Sequence, residues 1–179
     1  MNRLFKTNIA YIPPLEAKTL SLSALLLAMD VVLYKLAFGP PYFQVSFGFL
    51  SMALMGYLYG PIWAGFLEIL SSAINSTLFG TGNFHPIFLI TAFLGGAING
   101  LFLYHSQVRL RNVFFAQFLI LLVVSLIMNS WFISIVYKAD FFAVFWGRSL
   151  RNAFLLPIHT YLGHAFLKTL ENRRIFHNL

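Results

Sequence analysis

The chain is laid out as long apolar runs separated by short polar breaks. A helix needs roughly 20 mainly apolar residues to cross a hydrocarbon core about 30 Å thick. By that measure the pattern predicts six membrane spans: Leu20 to Phe38, Phe47 to Tyr59, Pro61 to Phe79, Pro86 to Tyr104, Val113 to Tyr137 and Arg148 to Leu170. The second is short for a full crossing, which fits a tilted, broken or partly embedded helix. Gly60-Pro61 divides it from the third. Pro61, Pro86 and the Gly39-Pro40-Pro41 run stand at predicted helix ends, where proline is tolerated. No internal repeat is visible. The expected fold class is an all-α integral membrane protein, a bundle of six transmembrane helices. Residues 1–19 form a cytoplasmic N-terminal segment, 20–170 the membrane domain and 171–179 a cytoplasmic tail. The basic N-terminus and first apolar run imitate a secretory signal. That run carries Asp30 and Lys35 and leads into further spans, so it reads as a retained helix.

Composition sharpens this picture. Of the residues 59% are apolar and only 9% charged, against about a quarter charged in soluble domains. This excludes a soluble enzyme, a disordered regulator and an ordinary nucleic-acid-binding domain. The net charge of +7 then belongs to loops. With six spans, Arg3, Lys6, Lys18, Arg109, Arg111, Lys168, Arg173 and Arg174 fall on the side of the termini, and Lys138 and Arg148 on the other. Cytoplasmic loops are enriched in Lys and Arg, so both termini are expected in the cytoplasm. The chain has no cysteine, which excludes disulfides, thiol catalysis and thiolate metal sites.

Charges inside a bilayer are expensive, roughly 2.5–3.5 kcal/mol each on insertion scales. Asp30, Lys35, Glu68, Arg148 and Arg151 lie within or at the edge of the predicted spans, and each is a candidate functional residue. For Asp30 and Glu68 the alternative is a structural ion pair between helices. Asp30 and Lys35 are five apart, about 140° around a helix, and so face different neighbours. Arg148 and Arg151 are three apart and share a helix face with Asn152. They fall at the outer end of the predicted sixth helix, where a topology signal does not account for them. Two guanidinium forks there suit a carboxylate or phosphate, and the dipole of a helix N-terminus adds to the attraction. Headgroup anchoring is the alternative.

Other features carry less. The outer loop Gly80-Thr81-Gly82-Asn83-Phe84-His85-Pro86 and the loop Gly39 to Ser46, with Gln44, offer walls for a pocket, or plain turns. Asn129, Ser130, Trp131 and Ser134 put polar groups and an indole in the fifth span. Trp131 suits stacking on a flat ring system, or packing. His159 and His164 are five apart and do not present a chelating pair. No phosphate-loop motif is present, so the chain does not hydrolyse ATP by that route. Ser21, Ala24 and Ala28 put small side chains on one face of the first helix. Ala24 and Ala28, about 40° apart, permit close approach of another membrane helix, within this chain or outside it.

Several stretches together resemble the S-components of energy-coupling factor (ECF) transporters, and most closely the folate-type branch. They are Val45-Ser46-Phe47-Gly48-Phe49 with Gly56 and Gly60-Pro61-Ile62-Trp63-Ala64-Gly65, then Asn129 to Tyr137, then Gly147-Arg148-Ser149-Leu150-Arg151-Asn152 with Pro157. The last fits the family's R-x-x-[KR]-N-x(4)-P pattern, and Ala24-x-x-x-Ala28 fits its A-x-x-x-A docking motif. The resemblance implies six helices and an outward-opening pocket in a bacterial plasma membrane. It implies a non-enzymatic subunit without cofactor that captures a B-type vitamin, folate first and cobalamin next. Its partners would be a transmembrane coupling subunit, docked at Ala24 and Ala28, and two cytoplasmic ATPases that bind ATP; no nucleic acid is involved. Uptake in the family involves toppling of the S-component in the membrane. The substrate-binding residues would be Arg148, Arg151, Asn152, Trp131, Asn83, His85 and Gln44, with the arginines on the folate carboxylates. The chain departs from the family at Ser72, where an Asp is expected, at Asn75, where a Gly is expected, and at Pro86-Ile87-Phe88-Leu89-Ile90. Two other readings compete. One is an ion-coupled secondary transporter with Asp30 and Glu68 as a proton or sodium relay. The other is a membrane enzyme using His159 or His164 as acid or base.

Overall fold

The computed structural model describes residues 13, 14, 16–38, 45–78 and 85–173. The expectations for Arg3, Lys6, Gln44, Asn83 and Arg174, and for most of the two outer loops, lie outside these residues. Helix α1 spans Ala17–Lys35. A minimal antiparallel ladder follows, β1 (Ala37–Phe38) against β2 (Val45–Ser46), with Ala37 opposite Ser46. Helix α2 spans Gly48–Leu78 and α3 Ile87–Leu103. Then α4 (Leu110–Leu119), a π-helical segment (Ile120–Met128) and α5 (Asn129–Tyr137) run end to end as one rod. Helix α6 spans Phe141–Asn172. Apart from the ladder, the described secondary structure is all helical.

The expected break at Gly60-Pro61 is present as a kink inside α2. Gly60 sits at φ 78° and ψ −176°. Proline disfavours the helical conformation in the residue before it, and a glycine enters the positive-φ region without steric cost. The second and third predicted runs are therefore the two arms of α2, 48–59 and 61–78.

Helix α3 lies tightly against this kink. A Cβ built on Gly100 would stand 2.4 Å from the Gly60 carbonyl carbon and from Pro61 N, and one on Gly96 would stand 2.5 Å from the Ala64 carbonyl oxygen. Gly96 and Gly100 are four apart, so one face of α3 is bare backbone, the pattern that lets membrane helices approach closely. Around this pair the core gathers Ala53, Leu54, Met55, Ala64 and Leu67 of α2 with Leu26, Leu103, Val113 and Leu167. Buried Gln117 of α4 donates to Asn99 Oδ1 of α3 at 3.5 Å.

Among the described residues, three helices are long and apolar enough to cross a membrane: α1, the Gly48–Thr77 stretch of α2 and the Leu110–Tyr137 rod. Helix α3 is apolar but shorter, 17 residues. Helix α6 corrects a sequence expectation. It starts at Phe141, not Arg148, because the Asp140 side chain accepts from Ala143 N at 3.4 Å and caps the first turn. Arg148 thus sits two turns inside the helix, beyond the first turn where the helix dipole acts. The turns ahead of it present Phe142 and Trp146 outward, continued by Leu150 and Phe154 at four-residue spacing. This exposed apolar stripe suits hydrocarbon.

Candidate functional site

A cavity of about 570 Å³ opens between α1, both ends of α2, α3, the π segment and α6. That is within the roughly 300–1,000 Å³ of small-molecule sites. Its rim carries the exposed Tyr34 and Lys35 at the end of α1, and His85 ahead of α3. His85 meets Tyr137 edge to face, ring centroids 5.9 Å apart.

Two carboxylates line the interior and are used differently. Asp30 is 5% exposed. Its Oδ1 accepts from Ser51 Oγ and its Oδ2 from Ser71 Oγ. Ser51 and Ser71 lie on different arms of α2, so one carboxylate joins α1 to both. Glu68 is also 5% exposed, yet its Oε1 has no hydrogen-bond partner among the described residues. The same holds for three other buried atoms on lining residues: Asn75 Oδ1, Asn129 Oδ1 and His159 Nε2. Buried polar groups are normally paired. Four such atoms on the lining of one cavity suit a polar ligand. A flat wall completes it, for the His159 ring stacks on Phe49 with centroids 4.0 Å apart and planes at 12°.

The arginine face behaves differently from the ligand clamp its spacing suggests. Arg148 Nη1 donates to the Ser125 carbonyl at 3.1 Å, and Asn152 Nδ2 to the Leu121 carbonyl at 2.9 Å. Ser125 Oγ and the Asn152 side-chain amide are also bonded, at 3.2–3.3 Å. Both carbonyls belong to the π segment, whose i→i+5 winding is rare and concentrates at functional sites. Leu121 and Ser125 line the cavity. Thus Arg148 and Asn152 hold the wall from behind, while Arg151 is half-buried on the same helix. None of the three is among the described lining residues. Trp131 is 58% exposed and points out of the bundle, so it is not brought to the cavity.

Sequence reasoning singled out Asp30, Glu68 and His85 as residues of interest, and all three line the cavity. It missed Ser51, Ser71 and the Phe49–His159 stack as parts of one site. On α1, Ala24 and Ala28 are exposed, as is Ser21. Ser23 turns inward instead and accepts from Trp63 Nε1 at 3.2 Å.

A drug-sized, polar-studded cavity in a bundle of apolar helices suits a solute-binding component of a transport system. The family model for the ECF transporter, substrate-specific component, matches residues 18–165, and the chain belongs to that family. It is accordingly the substrate-capturing subunit of a transporter in the bacterial cell membrane and not an enzyme. Among curated relatives, "Folate transporter FolT" of Leuconostoc mesenteroides is 30% identical over 161 residues, 87% of each chain. A protein of the same name from Clostridium novyi is 27% identical over 157 residues, 87% of this chain and 91% of the relative. A solved structure, FolT bound with folic acid, matches with a TM-score of 0.77 at 27% identity, over 83% of this chain and 92% of that one.

Proposed function

We propose that this chain captures folate in the cavity between α1, α2, α3, the π segment and α6, for uptake driven by ATP hydrolysis in partner subunits. The observation that carries the reading is the set of unpartnered buried polar atoms around a cavity of about 570 Å³, in a chain whose fold is similar to a FolT bound with folic acid. Folate combines a flat, donor-rich pterin with an acidic glutamate tail. The Phe49–His159 stack offers the pterin a face, and Lys35 at the rim offers the tail a cation. The volume suits this ligand better than the much larger cobalamin.

In this reading six spans are formed by α1, the two arms of α2, α3, the rod 110–137 and α6, within a membrane domain of residues 20–170. Both termini are cytoplasmic by the excess of basic residues on their side. The rim then faces outward, with His85 beside the ligand. Arg148 and Asn152 act by shaping the π-segment wall, with Arg151 half-buried on the same helix. The exposed Ala24 and Ala28 receive a transmembrane coupling subunit, which carries two ATPases on its cytoplasmic side.

Calorimetric titration of the purified chain with folic acid tests the reading. Saturable binding at one ligand per chain is expected. No binding by a chain shown to be folded by circular dichroism would overturn it.

A further inference from the structure

We propose that Glu68 sets the ligand specificity of the cavity, by accepting hydrogen bonds from two adjacent N–H donors on the edge of a nitrogen heterocycle. The assignment rests on the folate reading, whose pterin carries such an edge in its ring N3–H and 2-amino group.

Three observations carry it. Glu68 is a residue only 5% exposed, it lines the cavity, and its Oε1 has no partner among the described residues. An ionisable group left so is costly, and a ligand that supplies donors relieves the cost. Second, Asp30 is already engaged, because each of its oxygens accepts from a serine. The two carboxylates divide the work: one joins helices, the other reads the ligand. Third, Glu68 is held in place. The bare face of α3 presses on its stem, such that a Cβ on Gly96 would stand 2.9 Å from Glu68 Cγ. A side chain fixed by backbone on one side discriminates better than a mobile one.

The surroundings fix the polarity of the ligand's inner end. Asn75 Oδ1 and Asn129 Oδ1 add acceptors, and His159 Nε2 is likewise unpaired. Among the described lining residues the basic side chains other than histidine are confined to Lys35 at the rim. An anionic group brought beside Glu68 and Asp30 would face acceptors without a lysine or arginine among the described lining residues there, whereas an N–C–N donor edge meets a carboxylate bidentately. The heterocycle therefore enters first, and the acidic tail stays toward Lys35.

The test compares folic acid with its analogue bearing a methyl group in place of the 2-amino group, on the full chain and on Glu68→Gln and Glu68→Asp. A hydrogen bond to a charged group contributes about 1.5–3 kcal/mol, so the full chain is expected to bind the analogue roughly 10- to 150-fold more weakly. Glu68→Gln is expected to lose folic acid affinity by a similar factor and to bind the two compounds within a few-fold of each other, while Glu68→Asp retains part of the discrimination. Equal binding of the two compounds by the full chain overturns the assignment while leaving the folate reading intact, and needs no variant to fold. Undiminished discrimination by Glu68→Gln also overturns it. Failure of the full chain to bind folic acid overturns the folate reading itself, and the assignment with it.

Discussion

Gly100→Ala is expected to destabilise the protein by at least about 3 kcal/mol, seen as a large fall in the thermal unfolding midpoint in detergent. Overpacking by one methyl group usually costs about 1–3 kcal/mol, because neighbouring side chains shift to make room. Here the neighbours are the Gly60 carbonyl carbon and the Pro61 ring nitrogen and Cα, each 2.4 Å from the new Cβ. They are backbone at a kink, so relief requires α2 and α3 to separate along their length. Gly147→Ala is the matched control. It makes the same chemical change in a helix interior, with no atom within 4 Å of the new Cβ, and helix propensity favours alanine by up to about 1 kcal/mol. One alanine should therefore lower the midpoint and the other leave or raise it. Equal behaviour of the two would contradict the packing of α3 against the α2 kink.

The second large effect is expected at Asp30. Asp30→Ala removes two hydrogen bonds to a charged group, each contributing about 1.5–3 kcal/mol net. The serines recover part of this. Ser51 Oγ already lies 2.8 Å from the Gly48 carbonyl, and Ser71 can turn to its own helix. A net loss of about 2–4 kcal/mol follows, together with weaker folate binding, because α1 no longer holds both arms of α2 around the cavity. Asp30→Asn keeps an acceptor oxygen for one serine and should lose roughly half as much. Unfolding midpoints of the two variants check the order. If Asp30→Asn proved as unstable as Asp30→Ala, the serine bonds would not be what the carboxylate contributes.

How far the sequence reaches can be judged residue by residue. The apolar runs and the Gly60-Pro61 break are written in composition, since both follow from the length needed to cross hydrocarbon and from proline's missing donor. The start of α6 was also written there, in Asp140 three residues before Ala143, a capping position obscured by the aromatic run that follows. The π segment was not legible. Ile120–Met128 reads as any apolar helix, because one extra residue per hydrogen-bonded ring leaves no mark on composition.

The site was half legible. Glu68, Ser71, Ser72 and Asn75 recur at three- and four-residue spacing on an apolar helix, a polar stripe that periodicity alone can find. Spacing likewise placed Arg148 and Asn152 on one face, and they do act together. It could not say what that face meets, which is the carbonyls of Leu121 and Ser125. The pairing of Asp30 with serines from two arms of α2 depends on tertiary approach, which no local pattern encodes.

The most direct test of the central claim uses the absence of cysteine from the chain. A single cysteine is placed at Ser72, which lines the cavity, or at Trp131, which points outward. Labelling by a small maleimide is then timed with and without folic acid. Folic acid is expected to slow labelling at position 72 at least tenfold and to leave position 131 unchanged. Equal labelling rates at position 72 with and without bound folic acid would place the vitamin elsewhere and contradict the cavity as its site.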